Sequence, residues 1–127
     1  MSIYKKLIFV VDDDPMMCEM LADHLMKNPH NSVKTFATGE ECLKCLDENP
    51  SAVILDINLS RNNENAASGM DILKRIKQMD QHIPVVMLSG QEHYGVAAQS
   101  ILKGASDYVM KDDDAFEKLS AIVTSLN

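Results

Sequence analysis

Ala52-Val53-Ile54-Leu55-Asp56 is a run of four apolar residues that passes without a break into a carboxylate. It is short, apolar at every position and preceded by the chain breaker Asn49-Pro50. That combination reads as a strand buried on both faces. The pattern recurs on either side. Upstream, Leu7-Ile8-Phe9-Val10-Val11 runs into Asp12-Asp13-Asp14; downstream, Pro84 opens Val85-Val86-Met87-Leu88, which ends at Ser89-Gly90. Ser32–Phe36 reads as a weaker strand, and Ala105–Met110 as a fifth that ends at Lys111.

Amphipathic stretches fill the gaps. From Pro15 to about Lys27 the apolar spacing is helical, with Met17, Leu21 and Leu25 on one face. Pro15 suits a first helical turn, where its missing N–H costs nothing, and Asp14 is placed to cap it. Gly39–Glu48 predicts a helix with Cys42, Leu43 and Leu46 inward, and Gly69 to Asp80 one with Ile72, Leu73 and Ile76 aligned. Gln91–Lys103 predicts a softer helix presenting Tyr94, Ala97, Ala98 and Ile101. The last helix starts near Asp114, with Phe116, Leu119, Ile122, Val123 and Leu126 together. Five strands alternating with five helices imply an α/β fold, a parallel sheet covered on both faces. Right-handed crossovers make it doubly wound.

The 127 residues suit one domain, and at 46% apolar and 24% charged it can bury a core without disulfides or a structural metal. Lys plus Arg is 12 and Asp plus Glu 19; the net charge of −7 argues against direct nucleic-acid binding by this chain. No apolar run approaches the roughly 20 residues that span a bilayer. Lys5-Lys6 and the five apolar residues after it end in three aspartates, which is no signal peptide, so the expected location is cytoplasmic, with no membrane partner. Cys18, Cys42 and Cys45 read as free thiols. Cys42 and Cys45 form a C-x-x-C, which packs as helical neighbours more readily than it makes a redox or zinc site, because no second ligand pair accompanies it. The four histidines form no site, and a phosphotransfer role for His24 is not expected.

In a doubly wound sheet, ligands bind beyond the carboxyl ends of the strands. Asp12, Asp13, Asp56, Ser89, Gly90 and Lys111 all stand there. Singly, an Asp at a strand end is most often a cap and a Lys a solvated charge; jointly, at successive strand ends, they describe a site. Clustered carboxylates favour a hard cation. Magnesium takes oxygen ligands, one or two protein carboxylates and a substrate phosphate, so Asp12 and Asp13 are candidate ligands, with Mn2+ a possible substitute. Asp56 then offers an oxygen that attacks phosphorus to form an acyl phosphate. Lys111 and Ser89 supply a cation and a donor for the transferred group.

Phe9-Val10-Val11-Asp12-Asp13-Asp14-Pro15, Ala52–Asp56, Val85–Gly90 and Asp107-Tyr108-Val109-Met110-Lys111 together resemble the receiver domain of two-component response regulators, over essentially the whole chain. The resemblance implies a flavodoxin-like sheet in the order 2-1-3-4-5. It implies one receiver domain over residues 1–127, a signalling switch that assists its own phosphotransfer and dephosphorylation, rather than a turnover enzyme. Asp56 would take its phosphoryl group from a histidine kinase or histidine phosphotransfer protein in a phosphorelay. The backbone carbonyl of Asn58 would join Asp12, Asp13 and Asp56 around Mg2+. Ser89 and Tyr108 would act as the switch pair, Asn58 and Gln91 would tune phosphate lifetime, and the region from Gln91 onward would present a changed surface to a downstream protein. A monomer or weak dimer is expected. A stand-alone regulator and a receiver excised from a larger protein remain equally open.

Two departures stand out. Gly69 lies thirteen positions after Asp56, where the family has a glycine at eight, and Ser60 stands where proline is common; this is an insertion of about five residues in Asn58–Ser68, which a surface loop absorbs at little thermodynamic cost. Lys111 is followed by Asp112 rather than proline, which leaves either a trans peptide or a strained cis one. Two other functions compete. A haloacid-dehalogenase-like phosphatase would use Asp12 as nucleophile and Asp14 as acid/base; a receiver-shaped interaction module would take no phosphate. Against the first, Met16 replaces the usual Thr or Val and Pro15 starts a helix at once; against the second stands the complete acidic set.

Overall fold

A computed structural model describes residues 5–59, 65–90 and 94–126. Strands and helices alternate: β1 Lys6–Val11, α1 Pro15–Leu25, β2 Asn31–Phe36, α2 Gly39–Lys44, β3 Ala52–Asp56, α3 Gly69–Met79, β4 Val85–Ser89, α4 Tyr94–Leu102, β5 Asp107–Met110 and α5 Ala115–Ser125. The five strands are all parallel, in the order β2-β1-β3-β4-β5. This is the doubly wound, flavodoxin-like sheet that the resemblance implies.

Strand periodicity splits the core into two layers. Phe9, Val11, Val53, Leu55, Val85 and Met87 face α2 and α3. Ile8, Val10, Ile54, Val86, Leu88 and Val109 face α1 and α5. β3 and β4 are buried along their whole length, as continuous apolar runs in a parallel sheet should be. Asp14 caps α1 through its carboxylate, which accepts from Met16 N and Met17 N. Thr38 and Ser68 cap α2 and α3 in the same way.

Several expected boundaries shift. α1 stops at Leu25, short of Lys27. α2 ends at Lys44, and Leu46–Glu48 follow as a 3-10 turn before left-handed Asn49 (φ 58°), so Gly39–Glu48 is not one continuous helix. β5 begins at Asp107, because Ala105 N bonds back to Ser100 O and belongs to the turn out of α4. The face expected of α4 is also corrected. Ser100 is the fully buried position, its hydroxyl donating to Val96 O, while Ile101 is half exposed.

Candidate functional site

β1, β3, β4 and β5 deliver their last residues to one rim, and local hydrogen bonds aim them. Asp12 continues the β1–β2 ladder through its N–H to Phe36 O (3.0 Å). Its Oδ1 accepts from Asp14 N at 3.0 Å, and its carbonyl accepts from Cys18 Sγ at 3.3 Å. Consecutive aspartates therefore divide their work: Asp14 is exposed and spent on the helix cap, while Asp12 is 2% exposed at the site. Asp56 closes β3 at 1% exposure, its Oδ1 accepting from Asn58 N at 3.1 Å. Ser89, also buried, closes β4 and accepts Lys111 N at 2.7 Å through its carbonyl, which brings Lys111 to the rim. Lys111 Nζ then stands 3.1 Å from Asp12 Oδ2 and 3.4 Å from Asp56 Oδ2.

Asp12, Asp13 and Asp56 each place a carboxylate oxygen within 4.8 Å of the others. Among the described residues, three carboxylates share one ammonium, an excess of negative charge. Asp12 registers the strain. Burial holds its carboxyl above the ordinary value of 3.8 and the Asp56 charge adds to this, against the opposing pull of Asp14 N–H and Lys111. An all-oxygen, partly dehydrated donor set with that excess fits a hard divalent cation.

The other expected residues fall around this centre. Tyr108 is half-buried in β5, in register with Met87, and Ser89 pairs with Met110, so Ser89 and Tyr108 share one face of the sheet one pleat apart. Gly90 is exposed, and a Cβ there would meet nothing within 4 Å. Gln91 and loop residues 60–64 lie outside the described residues. The Lys111–Asp112 peptide is trans, and Lys111 still reaches both aspartates.

Two contacts escaped sequence reasoning. Gly69 returns the long β3–α3 connection to the site: its N–H donates to Ile57 O at 2.9 Å, and a Cβ would collide with the Asp56 carbonyl oxygen and lie 2.6 Å from Ile57 Cα. The connection is therefore fixed at Asn58 and at Gly69. Only the late position of the glycine hinted at this. Glu40, in the first turn of α2, accepts from Ala67 N at 3.0 Å through Oε2. No sequence signal marks a bond across 27 positions.

The geometry disfavours both competing functions. Asp14, the acid/base of the phosphatase alternative, points its carboxylate into the α1 cap, and α1 begins at Pro15 with no room for a covering flap. An interaction module has no need of three converging carboxylates and a lysine.

Comparison with known proteins agrees. The response regulator receiver domain family model matches residues 8–124. The chain is 31% identical over 121 residues to the chemotaxis protein CheY of Bacillus subtilis, covering 94% of this chain and 97% of that protein. It is 30% identical to the response regulator TodT of Pseudomonas putida, covering 99% of this chain and 53% of that protein, so it spans about half the length of some relatives and nearly all of others. Among solved structures, the BeF3-activated receiver domain of DrrB, a Thermotoga maritima protein, superposes with a TM-score of 0.79 at 31% identity, over 94% of this chain and 95% of that one. No helix among the described residues is long and apolar enough to cross a membrane. Fold, rim chemistry and these likenesses agree: the chain belongs to the receiver domain family of two-component response regulators.

Proposed function

We propose that Asp56 is the phosphoryl acceptor of this receiver domain and that Asp12, Asp13, Asp56 and the Asn58 carbonyl hold Mg2+ beside it. The observation that carries the reading is the Lys111 ammonium shared between two nearly inaccessible carboxylates, Asp12 and Asp56, in a three-carboxylate cluster. An Asp56 oxygen attacks the donor phosphorus, the bond from phosphorus to the donor's leaving group breaks, and an acyl phosphate forms on Asp56. Magnesium, when bound, supplies charge neutralisation for the transferred group. Lys111 then exchanges a carboxylate partner for a phosphoryl oxygen, and Ser89 and the Gly90 backbone offer donors on the opposite side.

The phosphorylated state is read out at β5 and the helices beside it. Ser89 drawn toward the phosphoryl group leaves room on its own face for Tyr108, so the group favours one of two packings of the α4–β5–α5 region. The donor is a phosphohistidine of a kinase or phosphotransfer protein in the cytoplasm, the reader a protein docking on that region, and the same pocket assists hydrolysis. Asn58 and Gln91 are the candidates that set the lifetime of the phosphorylated state. The test is incubation with acetyl phosphate and Mg2+, read by intact mass. Wild type should gain about 80 Da, the phosphoryl mass of an acyl phosphate; Asp56→Asn and chelator-treated wild type should not. An equal gain in Asp56→Asn would overturn the assignment.

A further inference from the structure

We infer that Glu40 is a positioning residue for the phosphoacceptor site, fixing the returning arm of the long β3–α3 connection; this rests on the reading of Asp56 above. Both arms of that connection touch the core, and the returning arm also takes a side-chain hydrogen bond. Leu59, on the outgoing arm, is 1% exposed and packs into the core beside Ile72 and Leu73. The returning arm before α3 is Ala66-Ala67-Ser68, which carries no large side chain to bury. Ala67 also packs on that core, and the arm's polar fixed points are Ala67 N, which donates to Glu40 Oε2 at 3.0 Å, and Gly69 N, which donates to Ile57 O at 2.9 Å.

The anchor itself is rigid. Glu40 follows Gly39, where a Cβ would lie 2.5 Å from Ile72 Cδ1, so the start of α2 is pressed onto α3. Among the described residues, Glu40 Oε1 is buried with no hydrogen-bond partner. One oxygen of a half-buried carboxylate is therefore spent on a loop amide while the other is left unsatisfied, an arrangement unfavourable for stability alone. The arm it fixes runs into Gly69, which packs on the Asp56 carbonyl, and the same connection begins at Asn58, whose N–H holds Asp56 Oδ1. Releasing Ala67 loosens the returning end of the segment that shapes the acceptor.

The test uses Glu40→Ala, Glu40→Gln and the neighbouring control Glu41→Ala. Glu41 is exposed, and its backbone N–H alone enters the α2 cap. Removing either glutamate costs the helix N-terminus one charge, whereas only Glu40 reaches the loop. Three readouts are made on the intact chain: hydrogen exchange at the Ala67 amide, the Mg2+ concentration giving half the thermal shift, and the decay rate of the acetyl-phosphate adduct. Glu40→Ala should expose the Ala67 amide and raise the half-effect Mg2+ concentration and the decay rate by about three- to ten-fold, the range of contacts that act on a site at one remove. Glu40→Gln, which keeps an acceptor oxygen, and Glu41→Ala should match wild type. Equal Mg2+ dependence in Glu40→Ala and Glu41→Ala would overturn the inference. Absence of any adduct in wild type would instead overturn the Asp56 reading, with exchange and Mg2+ binding still judging Glu40.

Discussion

Replacing Asp12 with Asn should stabilise the metal-free protein while removing its response to magnesium. Burial is the largest cause that raises the Asp12 carboxyl, and the Asp56 charge adds to it, about 3.5 kcal/mol at 4.8 Å and an effective dielectric of 20. Lys111 at 3.1 Å returns about 5 kcal/mol. Burial therefore decides the balance, and the Asp12 carboxyl is shifted upward. A folded carboxyl raised above its ordinary 3.8 binds its proton more tightly than the unfolded chain does. That stabilisation is complete below 3.8 and lost as pH rises through the folded value. The penalty is therefore present above the folded value. Asn keeps the oxygen that accepts from Asp14 N and removes the charge, so Asp12→Asn should gain about 1–2 kcal/mol, or about 4–7 °C in Tm for a chain of this length. Wild type should rise by about 1.4 kcal/mol at ten times the magnesium Kd, and the variant hardly at all. Thermal unfolding at pH 7.5 with chelator and then with Mg2+ is the assay. A variant less stable than wild type in chelator, or one with the full magnesium shift, would refute the reasoning.

Three further outcomes follow from particular contacts. Gly69→Ala should lose about 2–3 kcal/mol, since its methyl meets backbone that cannot yield, whereas Gly90→Ala, with open space, should change Tm by less than about 1 °C; equal effects would contradict the close approach. Burial raises the Cys18 thiol to about 11 and Cys42 to about 12. At pH 8 iodoacetamide should modify half-buried Cys45 first, with all three reacting only after denaturation, and simultaneous loss of Cys42 would argue against the packing of α2. Lys6 Nζ donates to Val123 O at 2.7 Å near the end of α5, so Lys6→Met should cost about 0.5–1.5 kcal/mol in urea unfolding, and no change would remove that contact from the stabilising set.

What the sequence disclosed follows from which signals are local. β1, β3 and β4 were legible because a central parallel strand is apolar on both faces and ends abruptly in chemistry. The same property put Asp12, Asp56, Ser89 and Lys111 on one rim before any coordinates. In α4 the apolar residues do not mark the buried side: Ile101 and Leu102 face solvent, while polar Ser100, satisfied by Val96 O, is interior. α2 broke early because Cys45 leaves helical geometry (φ −107°, ψ 7°) and the chain tightens toward left-handed Asn49, a change periodicity does not register. The insertion could be counted, but not how its ends are fixed. Gly69 against the Asp56 carbonyl and Glu40 on the Ala67 amide are side chain-to-backbone or backbone-to-backbone contacts, and such contacts leave no residue pattern in the partner.

The most direct test of the phosphoacceptor is its position. After reaction with acetyl phosphate and Mg2+, borohydride reduces an aspartyl phosphate to homoserine, about 14 Da below aspartate, and trypsin separates the candidates. Asp56 falls in the peptide from Cys45 to Arg61, and Asp12, Asp13 and Asp14 in that from Leu7 to Lys27. The reduced residue should be Asp56, in the first peptide alone. Reduction at Asp12 in the second peptide, with Asp56 untouched, would contradict the receiver mechanism and revive the phosphatase chemistry.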